Sequence, residues 1–149
     1  MQQDTEFLKE FMAQNAGKIQ PLIPYLPWLE EKSGKSASTL YTSDGLGESS
    51  VAFPVYDATL MRFVKEAATT ELMDRNYPYV YTRCNLQTHE DERRFIEAAT
   101  WREWDQLCGI LSKYVMGGRT RSTLWSEGIS ESIFYLTVKK MHEIVEFWK

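Results

Sequence analysis

The chain contains few residues that crosslink a protein: two cysteines, Cys84 and Cys108, among 149 residues. Two cysteines cannot build the disulfide framework of a small secreted protein, so we expect both to be reduced thiols. No apolar run approaches the roughly 18 residues that a membrane span needs, and the N-terminal residues lack a basic segment followed by an apolar one. These absences predict a cytoplasmic protein that does not enter a membrane.

An excess of positive charge is also absent. Seventeen Lys and Arg residues stand against 21 Asp and Glu residues, which gives a formal net charge of −4. Broad binding to nucleic-acid phosphates depends on an excess of cations, so we do not expect nucleic acid as the main partner. A small local basic site remains compatible with this balance.

Aromatic side chains, by contrast, are plentiful. Five Trp, eight Tyr and seven Phe can fill a hydrophobic core, because each aromatic ring buries a large area. The chain length suits one folding unit. We therefore predict a single globular domain over residues 1–149.

Residues 31–40, EKSGKSASTL, contain the Gly-Lys-Ser that ends a phosphate-binding loop. The complete motif needs another glycine five residues before Gly34, but that position holds Leu29. It also needs a buried strand before the loop and a helix after it, whereas the following residues predict a strand. The sequence therefore argues against a nucleotide-binding loop.

Three patterns raise the question of a metal or a catalytic nucleophile, and none is complete. In His142–Glu146, the second histidine of a zinc-protease helix is replaced by glutamate, so an ordinary i,i+4 pair is the simpler interpretation. Cys84 and His89 are too few ligands for a structural zinc site, and sequence alone cannot show whether they approach each other. We predict no metal, no cofactor and no catalytic residue.

The N-terminal half predicts short elements. Asp4 is a candidate cap for a first helix that stops near Gly17. Prolines 21, 24 and 27 have polyproline spacing, but their apolar neighbours favour buried helical turns with a proline near the start. Segments 39–41 and 51–53 flank an Asp44-Gly45 turn signal and predict a β-hairpin, and the stretch from Tyr77 predicts an extended segment or a third strand.

The remaining elements have helical spacing. Helices are predicted after Asp57, after Thr88, and from a capping box at Thr100 and Glu103 to Gly117 and Gly118. The last helix is predicted to run without interruption from near Ser122 or Thr123 to Trp148. Because it is apolar on most of its circumference, other helices should surround it. The predicted class is α+β, mainly α, with about five helices around a central C-terminal helix and a small β-hairpin.

The turn between the last two predicted helices is the best candidate for a binding site. Two glycines end one helix, Arg119 and Arg121 lie in the connection, and Ser122 and Thr123 can cap the next helix. Free backbone N–H groups and guanidinium groups favour an anion such as phosphate or carboxylate. Ordinary helix capping with solvated arginines explains the same residues.

Four stretches resemble, in this order, a family of small bacterial proteins of unknown function. They are IPYLPWLEE at 23–31, the extended piece at 51–56 that precedes a helix, the helix end at 107–121, and residues 125–141, which begin WSEG and end KKM. The resemblance implies a bacterial, cytoplasmic setting. It carries no activity and no site residue.

These observations predict a non-catalytic interaction or regulatory module that binds a protein partner or itself, since no catalytic constellation is complete. Apolar helix faces suit a homodimer. The alternative is a small anionic-ligand binder or an unrecognised enzyme at the turn of Arg119, Arg121, Ser122 and Thr123. A local nucleic-acid contact through the same arginines is a third hypothesis.

Overall fold

The computed structural model describes residues 2–35, 38–42, 52–121 and 123–147, with side chains described at 6–35, 57–121 and 123–147. Eight α-helices lie in these residues. They are α1 (Gln2–Ile19), α2 (Leu26–Lys32), α3 (Ala58–Thr69), α4 (Tyr77–Arg83), α5 (His89–Ala98), α6 (Trp104–Gly117), α7 (Thr123–Ser130) and α8 (Ile133–Phe147). Short 3-10 helices at Gln20–Tyr25 and Trp101–Glu103 lead into α2 and α6.

Helix α8 lies at the centre of the molecule. It packs against α1, α2, α5, α6 and α7. Its inward side chains Ile133, Phe134, Val138 and Met141 are completely buried, as the apolar circumference predicts. Of the helices that the structure describes, none has both the length and the apolar character that crossing a bilayer requires.

The predicted α+β class, with a β-hairpin as part of the fold, is wrong, because the body of the molecule is α-helical. Every buried side chain among those described belongs to a helix or to a connection between helices. The backbone segments β1 (Ser38–Thr42) and β2 (Ala52–Tyr56) run antiparallel to each other. Two short strands alone form no sheet layer on which helices could pack. The Asp-Gly signal itself lies outside the described residues.

The predicted continuous C-terminal helix is also wrong. The chain leaves the helical path between α7 and α8, where Ser132 has a φ of 64°. This break lets α7 fold back against α8, and the ring of Phe134 then lies against the backbone of Gly128, where a Cβ would meet its Cε2 at 2.3 Å. Both segments are apolar, so their periodicity does not reveal the reversal. Trp148 lies outside the described residues.

A third correction concerns residues 77–83, which form helix α4 and no strand. Pro78 occupies the first turn, where a proline costs no hydrogen bond. The helix packs against α6, with Val80 close to Gly109, where a Cβ would lie 2.8 Å from Val80 Cγ2. Tertiary packing therefore decides the conformation of a segment whose aromatic and β-branched residues favour a strand.

Most of the predicted helix signals are confirmed. Asp57 caps α3 by accepting from the Thr59 amide, Thr88 forms a capping box with Asp91 at α5, and the box of Thr100 and Glu103 precedes α6. The three prolines lie in helical turns, as their apolar neighbours predict. Helix α1, however, begins before Asp4 and continues past Gly17 to Ile19.

Candidate functional site

A polar pocket of about 390 Å³ opens between α4, α5, α6 and α7. Its polar lining contains both charge signs and two residue types suited to proton transfer, tyrosine and histidine. The ionisable residues that line it are Tyr81, His89, Glu92, Lys113, Arg121 and Glu127. We refer to it as the Glu92 pocket.

Glu92 is the most unusual residue of this pocket, because its side chain is ionisable and the residue is only 1% exposed. The Thr88 cap begins α5 and points Glu92 and, one turn later, Ile96 into the protein. Buried carboxylates need hydrogen-bond donors to offset the loss of hydration. Here Tyr81 donates to Oε2 and Tyr114 donates to Oε1 at 2.7 Å.

The two phenols stay neutral, so they act as donors to Glu92. Burial, and next the Glu92 carboxylate beside it, raises the pKa of Tyr81 far above its usual range. Burial and the hydrogen bond to Glu92 do the same to the pKa of Tyr114. A phenolate next to a buried carboxylate would place two negative charges in contact, which a low-dielectric interior disfavours.

His89 completes the arrangement. Its Nδ1 lies 2.9 Å from Glu92 Oε1 and 2.9 Å from the Tyr114 hydroxyl oxygen. A carboxylate only accepts hydrogen bonds, so the proton of a neutral imidazole is on Nδ1. Nε2 is then the basic nitrogen, and it lies 4.0 Å from Glu127 Oε1. A carboxylate that orients histidine in this way is a recurring feature of proton-transfer sites.

Two cations border the same space. The Lys113 ammonium lies 3.7 Å from Glu92 Oε2 and 4.3 Å from the centre of the Tyr81 ring. Arg121 is exposed at the edge of the pocket. Glu127 adds an acid, and its Oε2 is buried without a hydrogen-bond partner among the described residues. The pocket therefore offers donors for an acidic group and an acceptor for a donor group.

The sequence patterns that raise the question of a metal ion do not assemble a metal site among the described residues. Among the described residues, no three His, Cys, Asp or Glu side chains are close enough to hold a metal ion. His142 lies on α8 with Nδ1 4.0 Å from Glu146 Oε1, the i,i+4 pair that the spacing predicts. Cys108 is buried, and burial raises the pKa of its thiol to about 12.

The predicted anion site is divided between two places. Arg121 borders the Glu92 pocket, whereas Arg119 borders a different pocket beside Trp125. Thr123 is exposed as the first residue of α7. Ser122 lies outside the described residues. One turn thus contributes residues to two pockets, and an anion site at the turn stays a prediction.

The sequence analysis missed four residues that line the pocket: Tyr81, Glu92, Lys113 and Glu127. It assigned Tyr81 to an extended segment. One sequence signal pointed to Glu92. It lies four and seven residues before Ile96 and Ala99, two apolar residues on the same side of the chain that are buried in the structure. An acidic residue in line with buried apolar residues indicates a satisfied carboxylate inside the protein.

A comparison of the chain with known protein families, curated proteins and solved structures found no match. The resemblance to a bacterial family therefore has no support from these comparisons, and the site stands on its own geometry.

Proposed function

We propose that the protein binds a small molecule with an acidic group in the Glu92 pocket, where His89 exchanges a hydrogen bond or a proton with it. The observation that carries this proposal is the link between a buried carboxylate and a half-buried histidine. Glu92 Oε1 and His89 Nδ1 are 2.9 Å apart, and this contact leaves Nε2 for a ligand. Burying a carboxylate is costly, and here the buried carboxylate orients His89.

The charges of the lining support an acidic ligand group. Arg121 has no ion-pair partner among the described residues, and Lys113 shares the carboxylate of Glu92 with three other donors. Guanidinium and ammonium groups bind carboxylate and phosphate well. Glu127 favours a ligand that also carries a hydrogen-bond donor, because its Oε2 has no described partner. A hydroxy acid, an amino acid or a small phosphate ester has both features.

The non-catalytic interaction module predicted from the sequence remains a prediction. Large apolar side chains are exposed at Phe7, Met61, Tyr79 and Phe147, but they belong to four different helices and nothing indicates what covers them. A cytoplasmic location is part of the proposal. It is supported by Cys84 and Cys108, which are both free thiols.

The test is a thermal-shift screen of small carboxylates, phosphate esters and amino acids, followed by titration of each hit. His89→Asn is the sharpest variant, since the amide keeps a donor for Glu92 and removes Nε2. We expect His89→Asn and Arg121→Gln each to weaken the affinity for a hit about tenfold or more. This is the usual effect of losing a charged or buried hydrogen bond.

Arg102→Gln is the matched control, because Arg102 is exposed and borders a different pocket. It should leave the affinity unchanged. The proposal is wrong if no compound stabilises the protein, or if a hit binds the His89→Asn and Arg121→Gln variants as tightly as the original chain.

A further inference from the structure

A second pocket, of about 310 Å³, lies between α3, α6 and α7 on the Arg119 side of the turn. None of its lining residues borders the Glu92 pocket. Its apolar part includes Val64, Val115 and Trp125, and its cations are Arg62, Lys65 and Arg119. We refer to it as the Trp125 pocket.

The apolar wall of this pocket is held in place by contacts on its inner side. The Trp125 indole N–H donates to the carbonyl oxygen of Val115 at 3.1 Å. The ring lies directly on Gly118, where a Cβ would be 2.1 Å from Nε1. Val64 and Val115 are 4% and 1% exposed. The surface that a ligand would meet is therefore preformed, which reduces the entropy lost on binding.

The described residues that line this pocket carry charge of one sign. No acidic residue is among the described residues that line it. Lys65 and Arg119 are exposed and take part in no ion pair between described residues. Arg62 donates only a long hydrogen bond, 3.3 Å, to the Thr59 hydroxyl. Three cations above an apolar wall attract an anion whose body is apolar.

We propose that the Trp125 pocket binds a small aromatic carboxylate. A flat ring system can stack on the Trp125 indole and contact the exposed side chain of Met61, while its carboxylate meets Arg119 and Lys65. The volume is at the lower end of ligand pockets, which suits one or two fused rings. A sugar phosphate would satisfy the cations but would leave the apolar wall uncovered. This site is independent of the function proposed for the Glu92 pocket.

The experiment compares 2-naphthoate with 2-naphthol, which has the same rings and no negative charge at neutral pH. Binding is followed by the indole N–H resonance of Trp125 in a titration monitored by NMR. We expect saturable binding of 2-naphthoate at least about tenfold tighter than that of 2-naphthol, since hydrogen bonds to charged groups are the stronger ones. Added salt should weaken the binding of naphthoate more than that of naphthol.

The two arginines of the turn provide a matched pair of variants. Arg119→Gln should weaken the binding of 2-naphthoate to the Trp125 pocket about tenfold. Arg121→Gln, which alters the Glu92 pocket, should leave this binding unchanged. Both side chains are exposed, so neither change should affect folding, and circular dichroism checks this. Equal affinities for the two compounds, equal losses in the two variants, or no saturable shift of the Trp125 resonance would each overturn the proposal.

Discussion

The hydroxyl oxygen of Tyr114 lies 2.7 Å from Oε1 of Glu92. Both residues are almost completely inaccessible to water, and they belong to helices α6 and α5. A charged hydrogen bond thus links two helices next to the central one. Because His89 Nδ1 contacts the same carboxylate oxygen, the stability of the core and the orientation of the His89 imidazole depend on one network.

Tyr114→Phe tests the structural part of this network. The change keeps the ring, which packs edge-on against Phe134 at 5.9 Å, and removes the hydroxyl that donates to Glu92 and contacts His89. We expect the free energy of unfolding to fall by about 1.5–3 kcal/mol, the usual contribution of a hydrogen bond to a charged group. Urea denaturation measures this free energy.

Tyr79→Phe is the control. Tyr79 is 63% exposed, so this change should alter stability by no more than about 0.5 kcal/mol. Equal effects of the two changes would show that the Tyr114 hydroxyl does not support Glu92.

Alkaline pH should destabilise the protein through its buried phenols. The pKa of Tyr81 is raised from its usual value of 10.0, so above that pH the unfolded chain loses a proton that the folded chain keeps. Stability therefore falls as pH rises beyond about 10, by up to about 1.4 kcal/mol per pH unit for each such group.

Tyr81→Phe removes one of these groups. Between pH 10 and 11, the free energy of unfolding of this variant should fall less steeply than that of the original chain. The two slopes should differ by up to about 1.4 kcal/mol per pH unit. Cys108, whose raised pKa acts in the same direction, is present in both proteins and cancels in the comparison. Parallel curves for the two proteins above pH 10 would contradict this assignment.

Two glycine-to-alanine changes should have opposite signs. Alanine at a helical glycine is favourable by about 1 kcal/mol when space allows. At Gly17 a Cβ would have no neighbour within 4 Å, so Gly17→Ala should stabilise the protein by about 0.5–1 kcal/mol. At Gly128 a Cβ would lie 2.3 Å from Cε2 of the buried Phe134, so Gly128→Ala should destabilise it by about 1–3 kcal/mol. A stabilising Gly128→Ala would show that α7 and α8 are not packed this closely.

The two thiols should differ in reactivity. Cys108 is 8% exposed, and burial raises its pKa to about 12, so little thiolate exists at pH 8. Cys84 is more accessible. We expect a disulfide reagent to modify Cys84 first, and peptide mass spectrometry identifies the modified residue. In Cys84→Ser the fast phase should disappear. Modification of Cys108 first would contradict the packing of α6.

Local signals in the sequence predict much of the helical framework. The caps at Asp57, Thr88 and Thr100 are correct because capping depends on side chains within a few residues. The central position of α8 follows from its apolar circumference. These features need no knowledge of distant residues.

The predictions from the sequence are wrong mainly where contacts between residues distant in the chain determine the conformation. Helix α4 depends on Val80 packing against Gly109, 29 positions along the chain. The break before α8 was missed for another reason, because α7 and α8 are both apolar and their periodicity does not reveal it. The site is harder still to predict, since Tyr81, Glu92 and Tyr114 meet only after three helices pack. The sequence named the turn with Arg119 and Arg121 as a candidate site, but it could not show that the two arginines border different pockets.

The most direct test of the account is the tautomer of His89, measured by nitrogen-15 NMR of the imidazole side chains. His142 provides the only other imidazole signal in the chain, and a His142→Gln variant assigns it. The account predicts that neutral His89 has its proton on Nδ1 and that Glu92→Leu removes this preference. A proton on Nε2 in the unaltered protein would contradict the hydrogen bond to Glu92 and, with it, the proposed role of the pocket.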